Sequence, residues 1–224
     1  MVPMIFSLAS RSALYAVLIG SALRLILAAQ PLFNYDIESY ALVVGIVRGG
    51  GNVYAETYRY NYSPVWANLL GLLSLLPVAF PFAIRGFLSI VDILNGFLLQ
   101  RILGEKAAIL YWLSPVAILI VGYHGQFDTL SATPLLVAMA FYTNPQETFY
   151  TNPQEIRGWK PWALTVVSIL IKHLTIFFAW TLMVYRYGFR KALWLSALAV
   201  GIHALSFVPY LPAGASGIMD NVIL

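Results

Sequence analysis

The sequence predicts an all-α protein: a polytopic transmembrane bundle of about seven helices, two of them short, with a long external first loop that carries a surface helix. Two observations lead to it. Of 224 residues, 60% are hydrophobic and only 10% are charged, and apolar runs recur along the whole chain with short polar gaps between them. A single transmembrane domain over 1–224 follows.

The first run, Ser12 to Ala29 after Arg11, matches the ~20 residues that cross a hydrocarbon core. No small-x-small cleavage site follows it, so it reads as a retained transmembrane helix. Further apolar stretches fall at 65–84, 86–103, 107–122, 129–142, 161–185 and 191–209. The gaps are 31–64, 104–106, 124–128, 143–160 and 186–190.

Taking every stretch as one crossing, with Arg11 inside, leaves five basic loop residues inside against six outside, the wrong sign for the positive-inside bias. A second topology treats 65–84 as dipping into or lying along the outer leaflet, and 161–185 as two short helices turning at Lys172-His173. Arg11, Arg101, Lys106, Arg157, Lys160, Arg186, Arg190 and Lys191 are then inside, with Arg48, Arg59, Arg85 and Lys172 outside. The sign is now the expected one. Each short arm, about 11 residues at ~1.5 Å apiece, reaches about halfway through a ~30 Å core, which neighbouring helices and water can cover. The second topology also gathers Asp36, Glu38, His124, Asp128, Lys172 and His173 on one external face of an integral, multi-pass protein, consistent with the cell membrane.

The loop 31–64 opens with Asn34-Tyr35-Asp36-Ile37-Glu38, two acids two residues apart. Ile37, Tyr40, Ala41, Val44 and Val47 recur at helical spacing, so a surface helix is expected from near Asp36 to Gly49-Gly50-Gly51. Asp36 could serve there simply as N-cap, with Glu38 a first-turn acid favoured by the dipole. The pair also reads as a candidate active site. Four tyrosines between Tyr54 and Tyr62 lead into Ser63-Pro64, a collar suited to a membrane interface or to sugar rings.

Gly122-Tyr123-His124-Gly125-Gln126-Phe127-Asp128 is too polar to face lipid and must meet water, protein or ligand. Its plain alternative is a reverse turn with Asp128 as N-cap. Upstream, Ser114-Pro115 should bend the preceding helix. Asp92, in mid-helix, needs a basic or amide partner across a helix interface and reads as a structural clasp. Lys172 and His173 lie deep in an apolar stretch, where an ammonium requires an anion: Asp128, Asp92 or a phosphate. The 13 basic residues are scattered and form no stripe for nucleic acid, and the absence of cysteine excludes disulfides, thiolate zinc and a cysteine nucleophile. A direct repeat, Tyr142 to Glu147 and Tyr150 to Glu155, falls in the expected cytoplasmic loop 143–160 and carries no chemistry.

Taken in order, the acid pair after helix one, the loop ending Tyr62-Ser63-Pro64, Asp92, Ser114-Pro115, His124-Gly125-Gln126-Phe127-Asp128 and Lys172-His173 resemble the GT-C superfamily of membrane glycosyltransferases. The chain is most similar to the mannosyltransferase-like branch, which carries a Gly-Gln-Phe-Asp run. The resemblance implies a polyprenyl-phosphate sugar donor in the membrane lipid and an inverting transfer of a hexose, mannose by the same resemblance. It implies Asp36 as general base and Glu38 as its companion, Lys172 near the lipid phosphate, and His124, Gln126 and Asp128 lining the same cavity with His173 and Tyr62. A divalent metal at Asp36 and Glu38 is the one cofactor to test. Members of the superfamily continue with further helices beyond such a core of about seven, which admits a second membrane subunit as partner. The competing readings are a noncatalytic or partner-dependent subunit and a lipid or small-molecule transporter.

Overall fold

The computed structural model describes residues 10–143 and 159–223, and every regular element in them is helical. Helix α1 (Arg11–Ala28) is followed by α2 (Tyr35–Arg48), the single turn α3 (Val53–Glu56), α4 (Pro64–Leu73) and the long α5 (Phe80–Leu103). Next come α6 (Glu105–Trp112), α7 (Pro115–Leu119) running into a π turn at Ile120–His124, and α8 (Asp128–Thr143). After the undescribed segment come α9 (Lys160–Ile171), a 3-10 turn at His173–Thr175, α10 (Ile176–Tyr187), α11 (Phe189–Leu205) and α12 (Leu211–Ile218), which ends in a π turn. The direct repeat and most of the loop 143–160 lie outside the described residues.

Three helical stretches among the described residues are long and apolar enough to cross a membrane: Arg11–Ala28, Phe80–Leu103 and Phe189–Ile223. Counting Glu105–Trp112 with Pro115–His124 as one broken span makes up to four. Only 22% of the apolar window in Phe189–Ile223 is buried by protein, so most of that surface needs hydrocarbon around it.

The helix boundaries correct the sequence reading at 65–84 and bear it out at 161–185. The stretch 65–84 is no single helix: α4 stops at Leu73 and α5 begins at Phe80, so Arg85 is a buried residue inside α5 and not a loop cation. The stretch 161–185 breaks at Lys172, whose backbone is extended (φ −145°, ψ 110°). The Ser114-Pro115 step behaves as expected, with a bend of 46° and the Ser114 hydroxyl accepting from the Ala117 N–H at 3.3 Å.

Asp92 finds its clasp in Arg24. The guanidinium Nε donates to Asp92 Oδ2 at 2.7 Å, and its Nη1 donates to the Gly20 and Trp112 carbonyls. Thr129 donates to Asp92 Oδ1 at 2.8 Å, and the Tyr111 hydroxyl also reaches that oxygen. Asn95 then joins Thr129 and Thr133, so α1, α5, α6 and α8 are tied by one buried polar network. An aromatic core lies beside it, with Phe127 stacked on Trp66 at 4.3 Å and Tyr40 edge-on to Trp66 at 5.4 Å.

Candidate functional site

Asn34, not Asp36, caps α2: its side chain accepts from the Ile37 N–H at 3.0 Å. The same amide donates to the Tyr123 and His124 carbonyls at 3.0 and 3.3 Å, which fastens the start of α2 to the π turn. Asp36 is thereby freed from capping and stands with Oδ2 3.9 Å from His124 Nδ1. Gly125 ends the π turn at φ +73°, and a Cβ there would lie 2.9 Å from Ile37, so both conformation and space require glycine.

Asp128 is likewise not a cap. It is the first residue of α8, and its carboxylate receives Lys172 Nζ at 2.5 Å. Lys172 arrives there because α9 breaks beneath it and because the Ser63 hydroxyl donates to the Leu170 carbonyl, docking the tyrosine loop on the end of α9. The ammonium lies over the rings of Phe127 and Tyr62 at 5.2 and 5.8 Å. Of the two carboxylates considered for Lys172, Asp128 is the one it meets, since Asp92 is held by Arg24.

Asp36 and Glu38 part company. Two residues along a helix is a rotation of about 200°, so the two carboxylates leave opposite faces of α2. Glu38 lies 3.5 Å from Arg59, whose guanidinium also covers the Tyr35 ring at 4.2 Å. The two acids thus meet different partners, and no group of three or more His, Asp or Glu side chains that could hold a metal ion occurs among the described residues. Gln126 uses its backbone N–H to close the π turn on the Ile120 carbonyl at 3.1 Å. His173 faces His203, with ring centroids 5.9 Å apart, on the wall of the apolar cavity and not of the cleft that holds Asp36.

Two spaces are walled by the neighbours of Lys172, Tyr62 in one and His173 in the other. One is a polar cleft of about 300 Å³ whose walls include Asp36, Tyr40, Arg59, Asn61, Tyr62 and Asp220. The other is an apolar cavity of about 720 Å³ that begins at His173 and Leu174 and is walled by α10, α11 and the C-terminal helix. Burial, with Asp36 and Asp128 adding to it, holds the Tyr62 phenol above its ordinary value. Burial, then Tyr62 and the same two carboxylates, does so to the Tyr40 phenol, so both acids converge on these rings.

Arg59, Asp220 and the capping Asn34 were not singled out from the sequence. Asn34 carries the ordinary signal of a cap before an apolar-periodic run. Asp220 is an acid in an apolar stretch, the same signal that marks Asp92. Arg59 has none.

Fold and site define a helical membrane protein with a polar cleft set beside an apolar cavity. No family model, no curated protein and no solved structure matches the chain.

Proposed function

We propose that the chain is a GT-C-type membrane glycosyltransferase that moves a hexose, mannose by resemblance, from a polyprenyl-phosphate donor to an acceptor hydroxyl, with inversion. The observation that supports this reading is that Lys172 bridges two walls: its ammonium lies 5.8 Å over the ring of Tyr62, which lines the polar cleft holding Asp36, and its chain neighbour His173 lines the apolar cavity. A polyprenyl chain in the cavity would set its phosphate at Lys172 and its sugar toward Asp36.

In this reading the Asp36 carboxylate takes the acceptor O–H proton as the oxygen bonds to the anomeric carbon. The bond from that carbon to the phosphate oxygen breaks with its electron pair, and the polyprenyl phosphate leaves with the added charge. Lys172, exchanging Asp128 for phosphate, stabilises that charge. His124 beside Asp36 provides a path for the proton to water. The membrane topology belongs to the same proposal: about seven helices, two of them short, with 31–64 and the cleft on the external face of the cell membrane.

Replacing Asp36 by Asn tests it, with the chain in lipid, labelled polyprenyl-phosphate mannose or glucose, and a mixed acceptor pool. The expected outcome is a ~10²–10⁴-fold loss of turnover with donor binding retained. A wild-type chain that binds no donor would sink the reading.

A further inference from the structure

The polar cleft does not end at Asp36. A second polar hollow of about 370 Å³ shares three wall residues with it, Tyr58, Asp220 and Asn221, and continues toward Glu56 and Ser216. We propose that the acceptor is a glycan of at least two linked sugar rings, held in this two-compartment groove with its reacting ring next to Asp36 and its second ring between Glu56 and Ser216. This inference rests on the glycosyltransferase reading of the Asp36 cleft.

The chemistry of the walls suits polyhydroxy rings. Asp36, Asp220 and Glu56 offer carboxylate oxygens to hydroxyl donors, and Asn221 offers both a donor and an acceptor. Tyr58 is 80% exposed at the division between the compartments and offers its ring to the apolar faces of sugars, while Tyr35, on the rim of the first, has one ring face covered by Arg59. Each compartment is of single-ring size, at the small end of ligand pockets. A lipid chain has its own apolar cavity and would strand these polar groups.

The groove is also held in place before any ligand arrives. The terminal helix α12 sits so close to α3 that a Cβ at Gly217 would lie 1.8 Å from the Tyr54 carbonyl oxygen, and one at Gly214 would lie 2.9 Å from Asn52 and Tyr54 atoms. The Asn52 amide donates to the Tyr210 carbonyl at 2.8 Å. Both walls of the second compartment are therefore one packed unit, which spares the ordering that binding would otherwise require.

The test is equilibrium binding of free sugars to the full chain in lipid nanodiscs, comparing mannose with α-linked mannobiose and glucose with maltose, beside tetra-alanine as a peptide control. The disaccharides should bind at least tenfold tighter than the monosaccharides. Ser216→Trp, which fills only the second compartment, should reduce the disaccharides to the monosaccharide level and leave monosaccharide binding unchanged. Glu56→Gln retains the oxygen that caps the Asn52 N–H at 2.8 Å and should weaken the disaccharides alone, about fivefold. Equal affinity for one ring and two, no sugar binding, or preference for the peptide would each overturn the proposal. Donor binding and Asp36-dependent transfer are measured separately. Transfer without a disaccharide preference would remove the two-ring groove and leave the enzyme, while the preference without Asp36-dependent transfer would leave a glycan groove and remove the enzyme.

Discussion

Arg24 and Asp92 are both withdrawn from solvent and sit 2.7 Å apart, each the other's neutralising charge. Removing one partner leaves a buried, uncompensated ion, so Asp92→Ala should lower stability by ~3–5 kcal/mol, while an Arg24→Met, Asp92→Leu double variant should recover most of the loss. Unfolding in detergent measures both, and additive losses would show that the pair is not coupled. The tyrosines make a second residue-scale prediction. Burial is the largest reason that Tyr40, Tyr54, Tyr60 and Tyr62 hold their protons more tightly than the ordinary 10.0. The native phenols keep protons that the unfolded chain releases, so stability should be flat below a pH of about 10 and fall as pH rises beyond it. Phenolate absorbance from these rings should appear together with unfolding. Its appearance in a fully folded protein near pH 10 would contradict the buried placement.

The C-terminal helix is the element whose position decides the most. Asp220 joins the cleft because α12 lies against α3, and that approach depends on the glycines at 214 and 217. Gly217→Ala should cost about 1–3 kcal/mol through overpacking, and the helix should shift off α3, loosening the tyrosine loop. Limited proteolysis around residues 52–62 is the direct readout, and an unchanged digestion pattern would mean that the contact is dispensable. The break between α9 and α10 has a similar role. An unbroken helix would carry Lys172 along its own axis, whereas the extended backbone at that residue turns the ammonium onto Asp128 and over Tyr62.

For the whole molecule, the prediction concerns which side each end of α5 occupies. Its 24 residues span about 36 Å, enough to cross the hydrocarbon. The chain contains no cysteine, so single thiols report cleanly. On intact cells a membrane-impermeant maleimide should label Tyr58→Cys at once and Lys106→Cys only after permeabilisation. Labelling of both on the same side would remove the topology on which an external cleft depends. The exposed apolar residues of α11, among them Leu193, Trp194 and Leu198, mark surface that lipid or a second membrane subunit must cover.

The sequence alone determined that the protein is helical and apolar enough for a membrane, because composition and run length are local quantities that need no neighbour. It also located the break at Lys172-His173, the bend at Ser114-Pro115 and the need of Asp92 for a partner, since the penalty for a charge or a proline inside an apolar helix is legible wherever it occurs. Which partner answered each charge was not legible. Arg24 meets Asp92 across 68 positions and Lys172 meets Asp128 across 44, and such pairings arise only when helices pack. Helical geometry, read without the capping Asn34, left Asp36 and Glu38 as one pair, while their 200° separation sends them to different neighbours. Tertiary structure alone put Asp220, from the far end of the chain, into the cleft with Asp36, because the close approach of two backbones depends on where the intervening helices deliver them.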